Sequence, residues 1–148
     1  MTNIISFKSK FGWISAHEKN NKIISVYFGK SKNNGTSSEL KKLKKNLNNY
    51  FHKKIKLMEP CLEMQGTRLQ IKIWKELQKI SYGKTKSYGD IAKIVKTSAR
   101  YVGNVCAQNK HLLVIPCHRV IRSNGHLGGF SGLGGLKLKK RLLQLEQT

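Results

Sequence analysis

The hydrophobic period of the chain changes after residue 28, and this change constrains the fold more than any other feature. Between Ile4 and Phe28, apolar residues recur at roughly every second position: Ile4, Phe11 and Trp13, then Ile23, Ile24, Val26 and Phe28. That spacing belongs to strands with one buried face, and Asn20-Asn21 supplies the hairpin turn between two of them. A polar loop, Gly29 to Ser37, follows. Leu40, Leu43, Leu47 and Phe51 then fall at helical intervals, with Ser38 as the expected N-cap. Lys53 to Gly66 contains Pro60 and has no period, so it is the expected linker between two lobes.

The helical period returns at Thr67, with Leu69, Ile73, Trp74, Leu77 and Ile80 inward, and stops at Tyr82-Gly83. A second helix is expected over 88–95. Lys96-Thr97 makes a short turn, and Ser98 caps a third helix running to about Gln108. Two short helices on a tight turn have helix-turn-helix geometry. Leu112-Leu113-Val114-Ile115 is a short buried-strand candidate, and a last helix packs through Leu136, Leu142, Leu143 and Leu145 and ends near Glu146. The expected class is α+β with two lobes: a small N-terminal antiparallel sheet with a helix over 1–62, and a mostly helical, winged-helix-like C-terminal lobe over 63–148.

Charge narrows the partner. The chain carries 29 Lys and Arg against 7 Asp and Glu, a net +22 over 148 residues, and such a surface favours a polyanion. Nucleic acid is the default partner and an anionic membrane surface the weaker one. The lysines of the first helix (Lys41, Lys42, Lys44, Lys45) fit either a DNA surface or a solvated helix face. A hydrophobic content of 39% supports a folded core. No apolar run approaches membrane-spanning length and no signal-peptide pattern opens the chain. Three cysteines (Cys61, Cys106, Cys117) without a CxxC pair argue for a reducing, intracellular setting, and neither they nor the five histidines show metal-ligand spacing.

One segment carries chemistry. Pro116-Cys117-His118-Arg119-Val120 places a cysteine beside an imidazole, and Pro116 fixes the backbone just before the thiol. The thiolate is the reactive form, and a nearby imidazole can take its proton directly or through a water. Such a base needs an orienting partner; after Glu76 only Asp90 and Glu146 remain acidic, and Glu146 is the stronger candidate. Ala99, Gly103 and Ala107 recur every four residues on the third helix and leave one face nearly bare, suited to a neighbouring helix or a nucleic-acid groove. Downstream, Leu127 to Gly135 is glycine-rich around Phe130 and Ser131 and could let a flat ligand lie against backbone.

These segments together resemble the O6-alkylguanine-DNA alkyltransferases. The pentapeptide Pro116 to Val120 is similar to the family signature. Gly66-Thr67-Arg68-Leu69-Gln70 with Ile73-Trp74, Tyr82-Gly83-Lys84-Thr85, Ser87-Tyr88-Gly89-Asp90-Ile91-Ala92, Ala99-Arg100-Tyr101-Val102-Gly103 and Leu127-Gly128-Gly129-Phe130-Ser131-Gly132 resemble its other conserved stretches. The resemblance implies a ribonuclease-H-like first lobe and a DNA-binding, alkyl-transferring second lobe. It implies that Cys117 accepts the alkyl group, His118 is the water-mediated base, Glu146 orients it, and Asn109 braces the turn. Tyr88 and Ser131 would hydrogen-bond the extruded base beside Phe130, and the carbonyls of Cys117 and Val120 would take its exocyclic amine. Arg100 would fill the place of the flipped nucleotide, with Ala99, Tyr101, Gly103 and Asn104 of the same helix entering the minor groove.

The implied reaction is single-turnover transfer from O6-alkylguanine, and from O4-alkylthymine, in double-stranded DNA, by a monomer with no cofactor and no metal. A cytoplasmic location is implied, at the nucleoid in a prokaryote or in the nucleus of a eukaryote. Chemistry agrees: an O6-alkyl group lies inside the base stack, so the base must be turned out before a thiolate can reach it. Four departures stand out. Tyr101 occupies a position where a small residue is usual, Ser81 replaces a common proline, and the stretch from Ser131 to Leu136 is about two residues longer than usual, while the turn at Lys96-Thr97 is about two residues shorter. Two other readings remain: an alkyltransferase-like binding protein, whose relatives carry Trp in place of Cys117, and a plain helix-turn-helix regulator.

Overall fold

Strands β1 (Asn3–Ser9), β2 (Gly12–Lys19) and β3 (Lys22–Phe28) form where the alternating pattern requires them, as an antiparallel meander in the order β1-β2-β3. The computed structural model describes residues 1–54, 60–129 and 135–148. Asn20 and Asn21 take φ of 52° and 65°, the left-handed pair that a two-residue hairpin turn demands and that asparagine tolerates. Register pairs Phe7 with Ile14 and Ile14 with Phe28, so their side chains share the buried face.

Helix α1 (Ser38–Phe51) covers that face with Leu40, Leu43, Leu47, Tyr50 and Phe51. Its N-cap is Ser37, whose side chain accepts from Leu40 N, and not Ser38, which is the first helical residue. Both serines precede the apolar run, and the one three residues before Leu40 can reach its amide. Lys41, Lys42, Lys44 and Lys45 are exposed.

The chain divides into two compact units: Met1–Met64 with Lys110–Val114, and Gln65–Asn109 with Ile115–Thr148. In the first unit the 110–114 segment fastens to β3. Val26 N donates to Lys110 O at 2.8 Å, Leu112 N donates to Val26 O at 3.1 Å, and the His111 Nε2 lies 3.0 Å from Ile23 O. The expected strand over 112–115 is absent. Leu113 takes φ 72° and turns the chain, although all four residues are buried. A short apolar run reports burial and cannot by itself distinguish a strand from a buried turn.

In the second unit, α2 (Arg68–Gln78) opens with a capping box between Thr67 and Gln70, and its Trp74 indole donates to Val105 O at 3.2 Å. Helix α3 (Tyr88–Val95) opens with a second capping box, Ser87 with Asp90. Lys96 at φ 60° ends it, and Ser98 caps α4 (Ala99–Ala107), which packs against α3. The helix-turn-helix is therefore present at the expected residues.

Strands β4 (Lys86–Ser87) and β5 (Val120–Ile121) pair in parallel. Helix α5 (Gly135–Gln147) buries Leu138, Lys139, Leu142, Leu143, Leu145 and Glu146. Leu136 is 52% exposed, contrary to its expected packing role. It stands two positions from Leu138, roughly 200° around the helix and so on the opposite face. Among the described residues no helix is long and apolar enough to cross a membrane.

Candidate active site

Cys117 opens a 3-10 turn (Cys117–Arg119) between Pro116 and β5. Two backbone bonds close the turn, Cys117 N to Ile115 O at 2.8 Å and Arg119 N to Pro116 O at 3.0 Å. Asn109 braces it from below, donating from Nδ2 to Ile115 O at 2.8 Å. The thiol is buried, and burial pushes its pKa up; a hydrogen bond with Asn109 and the charge of Lys139 act in the opposite direction.

His118 is fully buried, and its Nε2 lies 2.6 Å from Glu146 Oε2. Arg119 grips the same carboxylate, donating from Nε to Oε1 at 2.8 Å and from Nη2 to Oε2 at 3.0 Å, while Nη1 donates to Ile80 O at 2.8 Å. Burial alone would raise the Glu146 pKa. The hydrogen bonds and charges of His118 and Arg119 outweigh it and hold the carboxyl down at about 2. An ionised carboxylate can only accept, so the proton between the two residues sits on His118 Nε2. His118 Nδ1 is then the bare, basic nitrogen. It is buried and has no hydrogen-bond partner among the described residues. Burial also lowers the His118 pKa against the pull of Glu146, which keeps the ring neutral and able to accept a proton.

A cavity of about 520 Å³ opens over Cys117. Cys117 and Cys106 are its buried lining, Ala99, Gly103 and Ala107 give it the bare face of α4, and exposed Arg100, Arg122 and Ser123 stand at its edge. Tyr88 forms one wall. A Cβ on Gly103 would lie 4.0 Å from the Tyr88 ring, so the tyrosine packs over the small-residue face. Burial raises the Tyr88 pKa to about 12, with the thiols of Cys106 and Cys117 adding to the effect and Arg122 opposing it, so the hydroxyl keeps its proton at neutral pH.

Four residues of this site escape the sequence reading: Lys139, Arg119, Cys106 and Arg122. Lys139 is fully buried, and the three protons of its ammonium are shared among four oxygens, Val120 O at 2.6 Å, Leu127 O, Gly129 O at 3.1 Å and Tyr88 Oη at 3.3 Å. A lysine standing within the apolar stripe of α5 is the signal that could have revealed it. An ammonium has no lone pair, so Lys139 leaves the Tyr88 hydroxyl proton for another acceptor. The Val120 carbonyl, expected to meet the extruded base, already accepts from Lys139 and offers its second lone pair. Asn104 is exposed and Tyr101 half-buried on α4, and neither lines the cavity. Phe130 and Ser131 lie outside the described residues.

Fold and site together define a helix-turn-helix protein whose cavity is lined by a buried cysteine, with a buried His–Glu pair next along the chain. Residues 68–148 match the family model described as the DNA binding domain of 6-O-methylguanine DNA methyltransferase. The methylated-DNA–protein-cysteine methyltransferase of Metallosphaera sedula is 35% identical over 144 residues, covering 95% of this chain and 90% of that protein. Its counterpart in Saccharolobus islandicus is 37% identical over 146 residues, covering 95% and 92%. The crystal structure of Mycobacterium tuberculosis O6-methylguanine methyltransferase superposes with a TM-score of 0.86 at 27% identity, over 99% of this chain and 93% of that one. The structure of Mycobacterium tuberculosis OGT in complex with DNA gives 0.86 at 28% identity, over 97% and 92%. The chain belongs to the 6-O-methylguanine DNA methyltransferase family.

Proposed function

We propose that this protein repairs DNA by direct reversal, moving the alkyl group of O6-alkylguanine onto Cys117 in a single, irreversible event. The observation that carries this reading is the buried pair that follows Cys117 in the chain: Glu146 fixes the His118 tautomer and leaves the buried, unpartnered Nδ1 as the proton acceptor. The Cys117 proton passes to His118 Nδ1 through a bridging water. Sulfur attacks the alkyl carbon, the C–S bond forms, and the bond from carbon to O6 breaks with its electrons passing to the purine. The Tyr88 hydroxyl donates to the purine as that charge builds. On balance the proton lost by Cys117 ends on guanine. The thioether has no route back to a thiol, so each chain acts once.

Double-stranded DNA is the partner, entered through the minor groove by α4, whose Ala99, Gly103 and Ala107 face leaves room for the backbone to approach. Arg100, exposed at the cavity edge, takes the place of the extruded nucleotide. The second unit performs this chemistry as the DNA-binding domain, the first is the ribonuclease-H-like lobe, and the protein acts as a monomer. O4-alkylthymine is a second substrate of the same site.

The test is to incubate the protein with duplex DNA containing O6-methylguanine, weigh the intact chain, and map the modified peptide. One methyl group on Cys117, saturating at one per chain, is expected, and Cys117→Ala should take up none. Turnover beyond one equivalent, or repair by Cys117→Ala, overturns the proposal.

A further inference from the structure

Base extrusion brings more than a base to the cavity. As a nucleotide rotates out of the helix, its sugar and flanking phosphates arrive at the edge of the pocket that receives the base. Two cationic side chains line this cavity among the described residues, Arg100 and Arg122. With Arg100 assigned to the duplex interior, the extruded strand still has to be met.

Arg122 has the features of that contact. It follows β5 directly, five residues beyond Cys117, so the strand that carries the acceptor turn also carries this arginine. Its backbone is pinned on both sides, with Arg122 N donating to His126 O at 2.7 Å and Gly125 N donating to Arg122 O at 2.9 Å. Its side chain is exposed, lines the cavity, and makes no hydrogen bond or ion pair among the described residues.

The second unit has no acid to spare for it. Glu76 pairs with Lys79 at 2.8 Å, Asp90 is held in the α3 capping box, and Glu146 is taken by His118 and Arg119. Ser123, the next residue, adds a hydroxyl on the same edge. A rigidly mounted, unpaired guanidinium beside a hydroxyl suits a phosphodiester, since the planar fork matches two phosphate oxygens.

Resting on the repair reading above, we infer that Arg122 binds a phosphate flanking the extruded nucleotide and so makes the site selective for a lesion within a DNA strand over a free alkylated base. Affinity is measured on Cys117→Ala protein with O6-methylguanine duplexes in which one flanking phosphate at a time is replaced by a neutral methylphosphonate. This arm reports on the contact even if the wild-type chain transfers no alkyl group.

Arg122→Ala is expected to weaken binding about tenfold and to reduce the salt slope by about one. One of the two methylphosphonates should weaken binding by a similar factor, and the two changes together should cost no more than either alone. Arg122→Lys should recover part of the loss. In otherwise wild-type protein, Arg122→Ala should slow reaction with duplex DNA far more than with free benzylguanine. Unchanged affinity, or losses that multiply at both phosphates, overturns the contact. Equal slowing on both substrates also overturns it, and would mean that Arg122 acts through its field on Tyr88.

Discussion

Tyr88 and Gly128 stand so close that a single methyl group cannot be placed between them: a Cβ on Gly128 would lie 2.8 Å from the Tyr88 hydroxyl oxygen and 2.9 Å from its ring. Gly128 also takes φ 73°, a left-handed conformation that an alanine resists. Gly128→Ala should lower stability by about 1–2 kcal/mol and slow alkylation by displacing the tyrosine. Thermal denaturation and the rate with free benzylguanine check this. No change in either would show that ring and loop separate without cost.

Arg100 is tested by comparing substrates. If it holds the duplex open around the vacancy, Arg100→Ala should slow repair of duplex DNA by about tenfold or more and leave a much smaller effect on free benzylguanine. Equal loss on both would make Arg100 a structural residue of α4.

Glu146→Gln removes the charge that sets the His118 tautomer and leaves buried Arg119 without its partner. Stability should fall by about 3 kcal/mol, because an unpaired buried cation costs more than the pair contributes. Alkylation should slow markedly at neutral pH, and part of the loss should return as pH rises, since alkali generates the Cys117 thiolate without the base. Wild-type rates across the whole range would remove Glu146 from the relay.

Acid stability follows from the same pair. The unfolded chain protonates its histidines near 6.5, whereas buried His118 resists protonation, so stability begins to fall as pH drops below that value. Glu146, held at about 2 against an ordinary 4.5, stabilises fully above 4.5, and that contribution disappears as pH falls through 2. Urea midpoints between pH 7 and pH 2 should show both declines, and Glu146→Gln should flatten the lower one. A flat curve from pH 6.5 to 3 in the wild-type chain would contradict this assignment.

Lys139→Met keeps the length of the side chain and removes its ammonium. Val120, Leu127 and Gly129 would lose a buried donor, costing about 2–4 kcal/mol. Urea denaturation reads the loss directly, and a variant of wild-type stability would mean that water replaces the ammonium at all three carbonyls.

The sequence makes much of this legible because local rules dominate where the site is built. Serine and threonine caps set the starts of α2, α3 and α4, and the Asn20-Asn21 turn and the pairing of His118 with Glu146 follow from residue type and spacing. What stays hidden depends on tertiary neighbours. Arg119 reads as a signature residue until Glu146 and Ile80 O are seen around it. Lys139 reads as one more lysine in a basic helix, and only burial shows that it binds backbone. The 112–115 run reads as a strand because apolarity encodes burial and not the positive φ at Leu113.

The 110–114 segment bears on how this protein can be dissected. The polypeptide leaves the helical unit after Asn109, spends five residues fastened to β3, and re-enters at Ile115, two positions before Cys117. The Asn109 side chain closes the excursion at its base by donating to Ile115 O. A cut at the 64/65 boundary therefore cannot release the helical unit intact. The fragment would still carry Leu112, Leu113 and Val114, buried residues stripped of the strand they dock on, and would be a sticky, aggregation-prone piece. Dividing the molecule cleanly requires replacing that excursion with a short polar bridge from Asn109 to Ile115.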